Sequence, residues 1–557
     1  MNSLVIAVLG FSGLSLGYLF YSRKVAQWVG LREDQPTPAV ALEDGVDYMP
    51  AKHWTILFGH HFASIAGAAP IIGPVIACLY WGWLPAVLWI VIGGIFFGAV
   101  HDYCALAASL ENKGRSISDL SETALGRSAK VAFSVFALLA LILVVAVFAA
   151  VAGTTLANTP QVVIPTFGLI VVAVIVGFLI YKTNMPLAAD TLIGLSLLFG
   201  LIVLGYYVPI TLPGVHAAKW WTVILLIYGM TAAVLPVTVL LQPRDHLAAG
   251  VLFLGMFFGF LGLLITHPTM HAPHFVAFGG AKGWLWPMIF VTIACGAISG
   301  FHSFVASGTT AKQLPHMRDA RRIGYGAMIM ESALALLAVI AVTAGLFWKK
   351  TPDGVEGFVY QDLMKGGNWM RTFGRGYGEL TKPLFGALGM LIGITMLKTF
   401  VMTTLDSATR ITRYVTGELL GDTLGLKVFK NRFVSTICIG IAAGALALGN
   451  WKAIWPIFGS ANQLIAAMVL IIVTLYFFTR GKAWAFTAIP AVLIFVTAMG
   501  ALVYKFIEFT HPAKNARPNI MLAAVAFVLV LMGLFVALKA FQTISTVRKR
   551  PPEATER

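Results

Sequence analysis

The 557-residue chain is 59% hydrophobic and only 11% charged, with a mean hydropathy of +0.85, whereas soluble proteins carry about a quarter charged residues. A water-soluble enzyme or binding domain is excluded, and the composition is that of a chain crossing a bilayer many times. The formal net charge of +16 does not imply nucleic acid as a partner, because the lysines and arginines lie in short loops and no basic, aromatic-rich surface segment accompanies them.

In chain order, near-apolar runs of about 20 residues, each long enough to span, cover 2–21, 54–80, 84–109, 131–152, 163–182, 189–209, 219–241, 247–266, 284–308, 323–347, 382–408, 433–449, 453–478, 484–504 and 519–541. The first run lacks a positive n-region and is followed by Arg23 and Lys24. A secretory signal has the opposite order, so this run reads as a retained helix. Alternate loops carry the cations: Lys113, Arg115, Arg127 and Lys130, then Lys182, Arg244, Lys312 with Arg318, Arg321 and Arg322, the group from Arg410 to Arg432, Arg480 with Lys482, and Arg548 to Arg550. Connections 153–162 and 267–281 carry none. The segment 348–381 mixes Asp353, Glu356, Asp362 and Glu379 with basic residues and reads as the main external loop. By the positive-inside rule, fifteen spans place the N-terminus outside and the C-terminus inside. Cys78, Cys104, Cys295 and Cys438 lie in or beside apolar runs without metal-ligand spacing and read as small core residues.

The second run contains Gly59-His60-His61-Phe62 and then Gly67-Ala68-Ala69-Pro70-Ile71-Ile72-Gly73-Pro74. Each proline removes a donor and obstructs the preceding turn, and the freed carbonyls cannot face lipid. A broken helix at membrane depth marks the binding site in many secondary transporters; the plainer alternative is a proline kink in a packing helix. The run 219–241 holds a second small-residue stretch, Gly229-Met230-Thr231 to Pro236. Pro74 precedes Phe96-Phe97-Gly98 by nearly the interval that separates Pro236 from Phe257-Phe258-Gly259. The two stretches are five spans apart, an odd offset that reverses direction and predicts an inverted repeat. The expected organisation is an N-terminal helix and cytoplasmic linker (1–53), a five-helix repeat (54–209), a second repeat (210–408), and a four-helix extension with a basic tail (409–557).

Other polar groups fall inside apolar runs. Ser299, His302, Ser303 and Ser307 are spaced to share one helical face, which must look into the bundle or a water cavity. Asp406 and Arg410 are four apart, so they are expected to pair on one face, with Lys398 earlier in the same run. Asn462 and Gln463 suit interhelical hydrogen bonds. Asp102 follows His101, Asp190 opens a run, Asp245 beside Arg244 reads as a turn, and Glu331 lies where an unpaired carboxylate is costly. The chain has no P-loop of the GxxxxGK[ST] form, no GxSxG elbow and no HExxH motif, which argues against ATP drive within the chain and against a membrane hydrolase.

Gly59-His60-His61-Phe62 with its Gly/Pro run, the segment Cys295 to Leu314, Leu405-Asp406-Ser407-Ala408-Thr409-Arg410 and Ser460-Ala461-Asn462-Gln463-Leu464 together resemble the carbon starvation protein A family. These motifs run from about residue 45 to 465, most of the chain. Ser407 stands where the family has threonine, and the chain looks shorter at its C-terminal end. The resemblance implies an all-α LeuT-type five-plus-five inverted repeat, grouped with the amino acid–polyamine–organocation superfamily. It also implies a prokaryotic inner-membrane transporter of pyruvate or peptides, with proton coupling in the pyruvate members.

The resulting expectation is a secondary importer of a small carboxylate, pyruvate by proton symport, with short peptides as the close alternative. Substrate is assigned to His60, His61, Gly67, Ala68, Pro70, Pro74, Thr231, Pro236 and His302. Coupling is assigned to His61, Ser299, His302, Ser303, Glu331 and Asp406. His60, about 100° around the helix from His61, is expected to face a neighbouring helix. No cofactor or resident metal is expected. Sodium caged by the carbonyls of Ala66–Ala69 with Ser299 and Ser303 is the rival for coupling. A divalent-metal transporter using the histidines with Met230, and a nutrient sensor that binds without transport, are the rivals for function.

Overall fold

Lipid offers no partner to a backbone N–H or C=O, so a chain this apolar closes its hydrogen bonds within helices. The computed structural model describes residues 1–183, 185–349, 358–365, 369–449, 451–512 and 518–549. Asp353 and Glu356 of the expected external loop lie outside the described residues. The principal helices are α1 (Ser3–Val29), α2 (Trp54–Ile65), α3 (Ala69–Trp81), α4 (Trp83–Glu111), α5 (Arg127–Asn158), α6 (Pro160–Lys182), α7 (Leu187–Tyr207), α8 (Ala217–Val234) and α9 (Leu241–Thr266). They continue with α10 (Leu285–Thr292), α11 (Gly300–Gly308), α12 (Met317–Ala344), α13 (Trp369–Phe385), α14 (Leu388–Thr423), α15 (Arg432–Leu448), α16 (Trp451–Thr479), α17 (Ala485–Thr510) and α18 (Ile520–Thr546).

All the expected apolar runs fall on these helices. Among the described residues, 12 helices are long and apolar enough to cross a membrane, and α2 with α3, bent by 43°, makes up to 13. Of the remaining runs, 284–308 is split into α10 and α11, and α15 has 17 residues. The protein is thus a multi-pass membrane protein. Helices α12 and α14 form its centre, with 94% and 89% of their apolar windows buried, against 22% for α7 and 33% for α18, which face outward to lipid. Around that centre α2 packs on α9 and α12, α3 and α4 pack on α12, and α5 packs on α14 and α8. Helices α6 and α7 pair as a hairpin that meets the rest chiefly through α9. Cys78, Cys104 and Cys295 are buried as expected, whereas Cys438 is exposed.

Both expected helix breaks are corrected. The first is confined to Ala66–Ala68, and the chain is helical from Ala69 through Pro74. Pro70 sits in the first turn of α3, where a missing N–H costs nothing. The second break is not at 231–236: α8 is helical through Thr231 and ends at Val234. Pro236 disfavours helical backbone at the residue before it, and Leu235 is extended, so that proline marks a helix end. The second broken helix is α10–α11, interrupted at residues 293–299. It lies seven apolar runs after the first, again an odd offset. Division of the repeats at 209 and 408 therefore has no second break at 231–236 to start from.

The second break packs on the start of α3, where a Cβ on Gly296 would lie 3.8 Å from Pro70 Cα. A Cβ on Gly73 of α3 would lie 2.3 Å from the Thr292 carbonyl oxygen at the end of α10. Backbone cannot yield as a flexible side chain does, so Gly73→Ala is expected to destabilise by ~1–3 kcal/mol. The thermal midpoint of the purified protein in detergent reads this; an unchanged midpoint would contradict the close approach.

Candidate functional site

Helix α2 is buried on all sides at its second half, so neighbouring histidines reach different partners. His60 places Nδ1 2.6 Å from Asp245 Oδ2 of α9 and Nε2 2.9 Å from Thr309 Oγ1, just past α11. It therefore faces neighbouring helices. His61 places Nδ1 2.7 Å from Thr310 Oγ1 and leaves Nε2 without a hydrogen-bond partner. At the break the Gly67 N–H donates to Ile65 O (2.8 Å), and a Cβ on Gly67 would lie 2.9 Å from Thr404 Oγ1 of α14. Thr404 donates to Ser64 O (3.1 Å) and Ser64 Oγ meets Ser407 Oγ (3.0 Å), tying α2 to α14.

The second break collects ionisable groups from three helices. His302, in the first turn of α11, places Nδ1 2.9 Å from Asp102 Oδ2 and Nε2 3.3 Å from Glu331 Oε2. His101 Nδ1 is 2.7 Å from Asp102 Oδ1. All four side chains are fully buried. An ionised carboxylate only accepts, so both Nδ1 atoms carry their protons toward Asp102. That fixes His302 Nε2 as the atom facing Glu331, with no hydrogen bond made by Nε2 or by either Glu331 oxygen. The contact has room for one proton, on the imidazole or on the carboxyl. Buried polar atoms left unpaired are rare, and in a membrane helix they mark function.

Ser299 does not share the helical face of His302, because it is extended and precedes the helix. It donates to Asn462 Oδ1 (3.3 Å), which also accepts the Phe301 N–H (2.9 Å). Asn462 of α16 thus caps α11. Ser303 donates to Gly300 O (2.7 Å) and Ser307 to Ser303 O (2.7 Å). Both hydroxyls named for a sodium cage thus donate to protein acceptors, Ser299 to Asn462 and Ser303 to Gly300 O.

Two ionic expectations are corrected. Asp245 is not in a turn but inside α9, fully buried between His60 and Arg244. Asp406 does not pair with Arg410: it binds the buried Arg244 guanidinium and accepts from Tyr228 (3.1 Å). Arg244, read as a loop cation, bridges Asp245 and Asp406 and so joins α9 to α14. Arg410 turns to Asp47 (2.8 Å) and to the carbonyls of Ala232 (2.8 Å) and Leu235. Lys398 donates to the Ala152 carbonyl of α5. Thr231 is exposed and bonds its own backbone at Ile227 (2.9 Å), so it and Pro236 stand apart from the two breaks. Met230 packs toward Gly440 of α15, not toward the histidines. Among the described residues no group of three His, Cys, Asp or Glu side chains is placed to hold a metal ion.

A cavity of about 290 Å³ lies between α3, α10 and α16, with Ala69, Ala294, Cys295 and Asn462 at the breaks among its lining residues. Its mouth carries Lys282 and Lys365, on connections that the charge pattern assigns to the outside. The linker before α2 is tied to the residues that follow α11 and to α14. Met49 N and Ala51 N donate to Lys312 O (3.1 Å) and Gln313 O (3.0 Å), and Asp47 pairs with Arg410 and with Arg413 (3.1 Å). Burial alone would raise the Asp47 pKa, but Arg413 and then Arg410 hold its carboxyl below the ordinary carboxylate value.

Crossing helices and two neighbouring broken helices with buried ionisable groups beside them define a polytopic membrane transporter with a LeuT-like fold. A mutant of the manganese transporter of Eremococcus coleocola superposes with a TM-score of 0.51 at 12% identity, covering 91% of this chain and 99% of that one, a likeness of fold alone. The chain belongs to the carbon starvation protein CstA family, whose sequence profile matches residues 2–355 and 360–501. It is 30% identical to the peptide transporter CstA of Bacillus subtilis, covering 99% of this chain and 98% of that protein. It is 29% identical to the pyruvate/proton symporter BtsT of Escherichia coli, covering 92% and 82%.

Proposed function

We propose that this transporter imports a small carboxylate, pyruvate foremost, together with a proton across the cytoplasmic membrane of a prokaryote. The observation that carries the reading is the His302–Glu331 contact, where one proton fits and no hydrogen bond is made without it. A carboxylate entering the cavity meets the N-terminal end of α3 at Ala69, whose positive dipole end favours an anion; the α11 end lies behind Asn462, which lines the cavity and caps that helix. His302 lies in the first turn of α11, so a negative charge near that helix end favours proton uptake onto the His302–Glu331 pair. His61 and His101, each with an unpaired Nε2, are the next carriers along α2 and α4. Sodium is the alternative coupling ion, with the Ser299 and Ser303 oxygens and the Ala66–Ala69 carbonyls as its ligands. The peptide reading draws on the Bacillus subtilis relative's name.

The positions of the breaks also suggest a different division of the repeat. The first half would comprise 54–158 and 217–266, the second 285–479, with the α6–α7 hairpin inserted into the first. Uptake of labelled pyruvate into proteoliposomes, with and without an inward proton gradient, tests the function. Accumulation above equilibrium only with the gradient is expected; binding without accumulation would favour a sensor, and accumulation on a sodium gradient alone would overturn proton coupling.

Release to the inside requires the linker to leave Arg410 and Arg413. Asp47→Asn removes the charge that holds it, and a hydrogen bond to a charged group is worth ~1.5–3 kcal/mol. Exchange of the Met49 and Ala51 amides, corrected for intrinsic rate, is expected to quicken about tenfold or more. The folded pKa of Asp47 lies below its unfolded value near 3.9. Its contribution is therefore complete above that pH and is lost as pH falls through the folded value. Protection in the parent that already fell between pH 7 and pH 5 would contradict this latch.

A further inference from the structure

The outer cavity has a chemistry that the breaks do not explain. Lys282, Lys365 and Lys505 line it, and among the described residues no carboxylate does. Lys505 of α17 is buried, and Glu508 one turn on fixes its Nζ at 2.5 Å. Lys365 is held by Asp362 at 2.7 Å. Both carboxylates lie outside the lining, so they position the ammonium groups without occupying the cavity. Lys282 has no ion pair among the described residues; its charged neighbours are Lys505 and Glu508. The low-dielectric surroundings and then Lys505 lower its pKa, as for cations that share one space. Met288, Met364 and Trp369 give the same cavity an apolar wall.

We propose that the lysine-bearing part of this cavity is a recruitment site for organic anions, separate from the part at the helix breaks, and that it selects a monocarboxylate bearing no ammonium group. A carboxylate accepts from Lys282 and Lys505, while its short apolar body lies against Met288 and Trp369. A zwitterion of the same size brings an ammonium group beside Lys282, which has no ion pair among the described residues, into a lining that holds no acceptor carboxylate, and like-charge juxtaposition disfavours it. One-sign charge in a low-dielectric cleft also raises the local concentration of anions and speeds their arrival. The site rests on the transport reading for its purpose, but its occupancy is measurable without transport.

Tryptophan fluorescence of the full-length protein in detergent is titrated with pyruvate and with L-alanine, a zwitterion of similar size. Trp369→Phe identifies the part of the signal that comes from the cavity. Saturable quenching by pyruvate is expected, with L-alanine about tenfold weaker or more. Lys282→Gln with Lys505→Gln is expected to weaken pyruvate about tenfold and to reduce the salt dependence of binding. Glu508→Gln frees the Lys505 ammonium and is expected to tighten binding, which guards against a misfolded double variant. Equal affinity for pyruvate and L-alanine, no saturable quench, or parent affinity in the double lysine variant would overturn the proposal. Loss of proton-driven accumulation with the quench intact would sink the transport reading alone, and the reverse result would sink the recruitment site alone.

Discussion

His302→Ala is expected to abolish proton-driven accumulation of pyruvate, by roughly a hundredfold as for other positioned proton-transfer groups, while exchange of pyruvate across the membrane survives. The imidazole reaches both Asp102 and Glu331, at 2.9 Å and 3.3 Å. Without it, Glu331 loses the partner with which it shares a proton, and the free energy of the gradient no longer reaches the substrate. Asp102→Asn tests the same chain with the imidazole kept. An amide at that position no longer holds Nδ1–H as the fixed tautomer, and a wrong tautomer alone can cost a histidine site about 10⁴. His61→Ala is the companion on the first broken helix and is expected to lose accumulation likewise. Exchange and accumulation are measured in the same proteoliposomes, so a folding defect, which removes both, is separated from a coupling defect. Parent-like accumulation by both histidine variants would move coupling to Asp406 or to sodium.

Arg244→Ala is expected to cost ~3–5 kcal/mol of stability, because it leaves Asp245 and Asp406 buried without their counter-charge. The guanidinium is fully buried and bonds both carboxylates and Tyr228. Arginine does not deprotonate in a protein, so this group is a permanent charge and serves as a brace between α9 and α14. Arg244→Met combined with Asp406→Leu is expected to recover part of the loss, since a buried ion pair replaced by apolar residues of like volume is often neutral. The thermal midpoint in detergent reads both. A midpoint for Arg244→Ala within the spread of surface substitutions would contradict the brace.

Much of the architecture was legible because the hydrophobic runs are long and the rule for lipid-embedded backbone is strict. The break after His61 was legible because Gly67, Pro70 and Pro74 crowd one stretch, although only Ala66–Ala68 leaves the helix. Proline misled in two ways. At Pro70 it opens a helix, and at Pro236 it ends one, and neither use interrupts a span. The true second break, residues 293–299, has no proline, and the spacing of its Ser299 from His302, Ser303 and Ser307 predicts a helical face. His302 and Glu331 were legible as isolated ionisable groups in apolar runs, a signal that applied equally to Asp102. Arg244 and Asp245 were missed as buried residues because they sit between two apolar runs, where charge ordinarily marks a loop. Asn462 was legible as an interhelical donor but not as the cap of α11, since capping across helices leaves no local pattern.

If pyruvate and a proton move together, pyruvate entry must carry protons with it. Proteoliposomes holding a pH-sensitive dye, with no pH or sodium gradient and no membrane potential, receive pyruvate outside. Acidification of the lumen that follows the pyruvate gradient, persists without sodium and disappears in His302→Ala is the predicted result. Pyruvate entry with no acidification, or acidification that requires sodium, would contradict it.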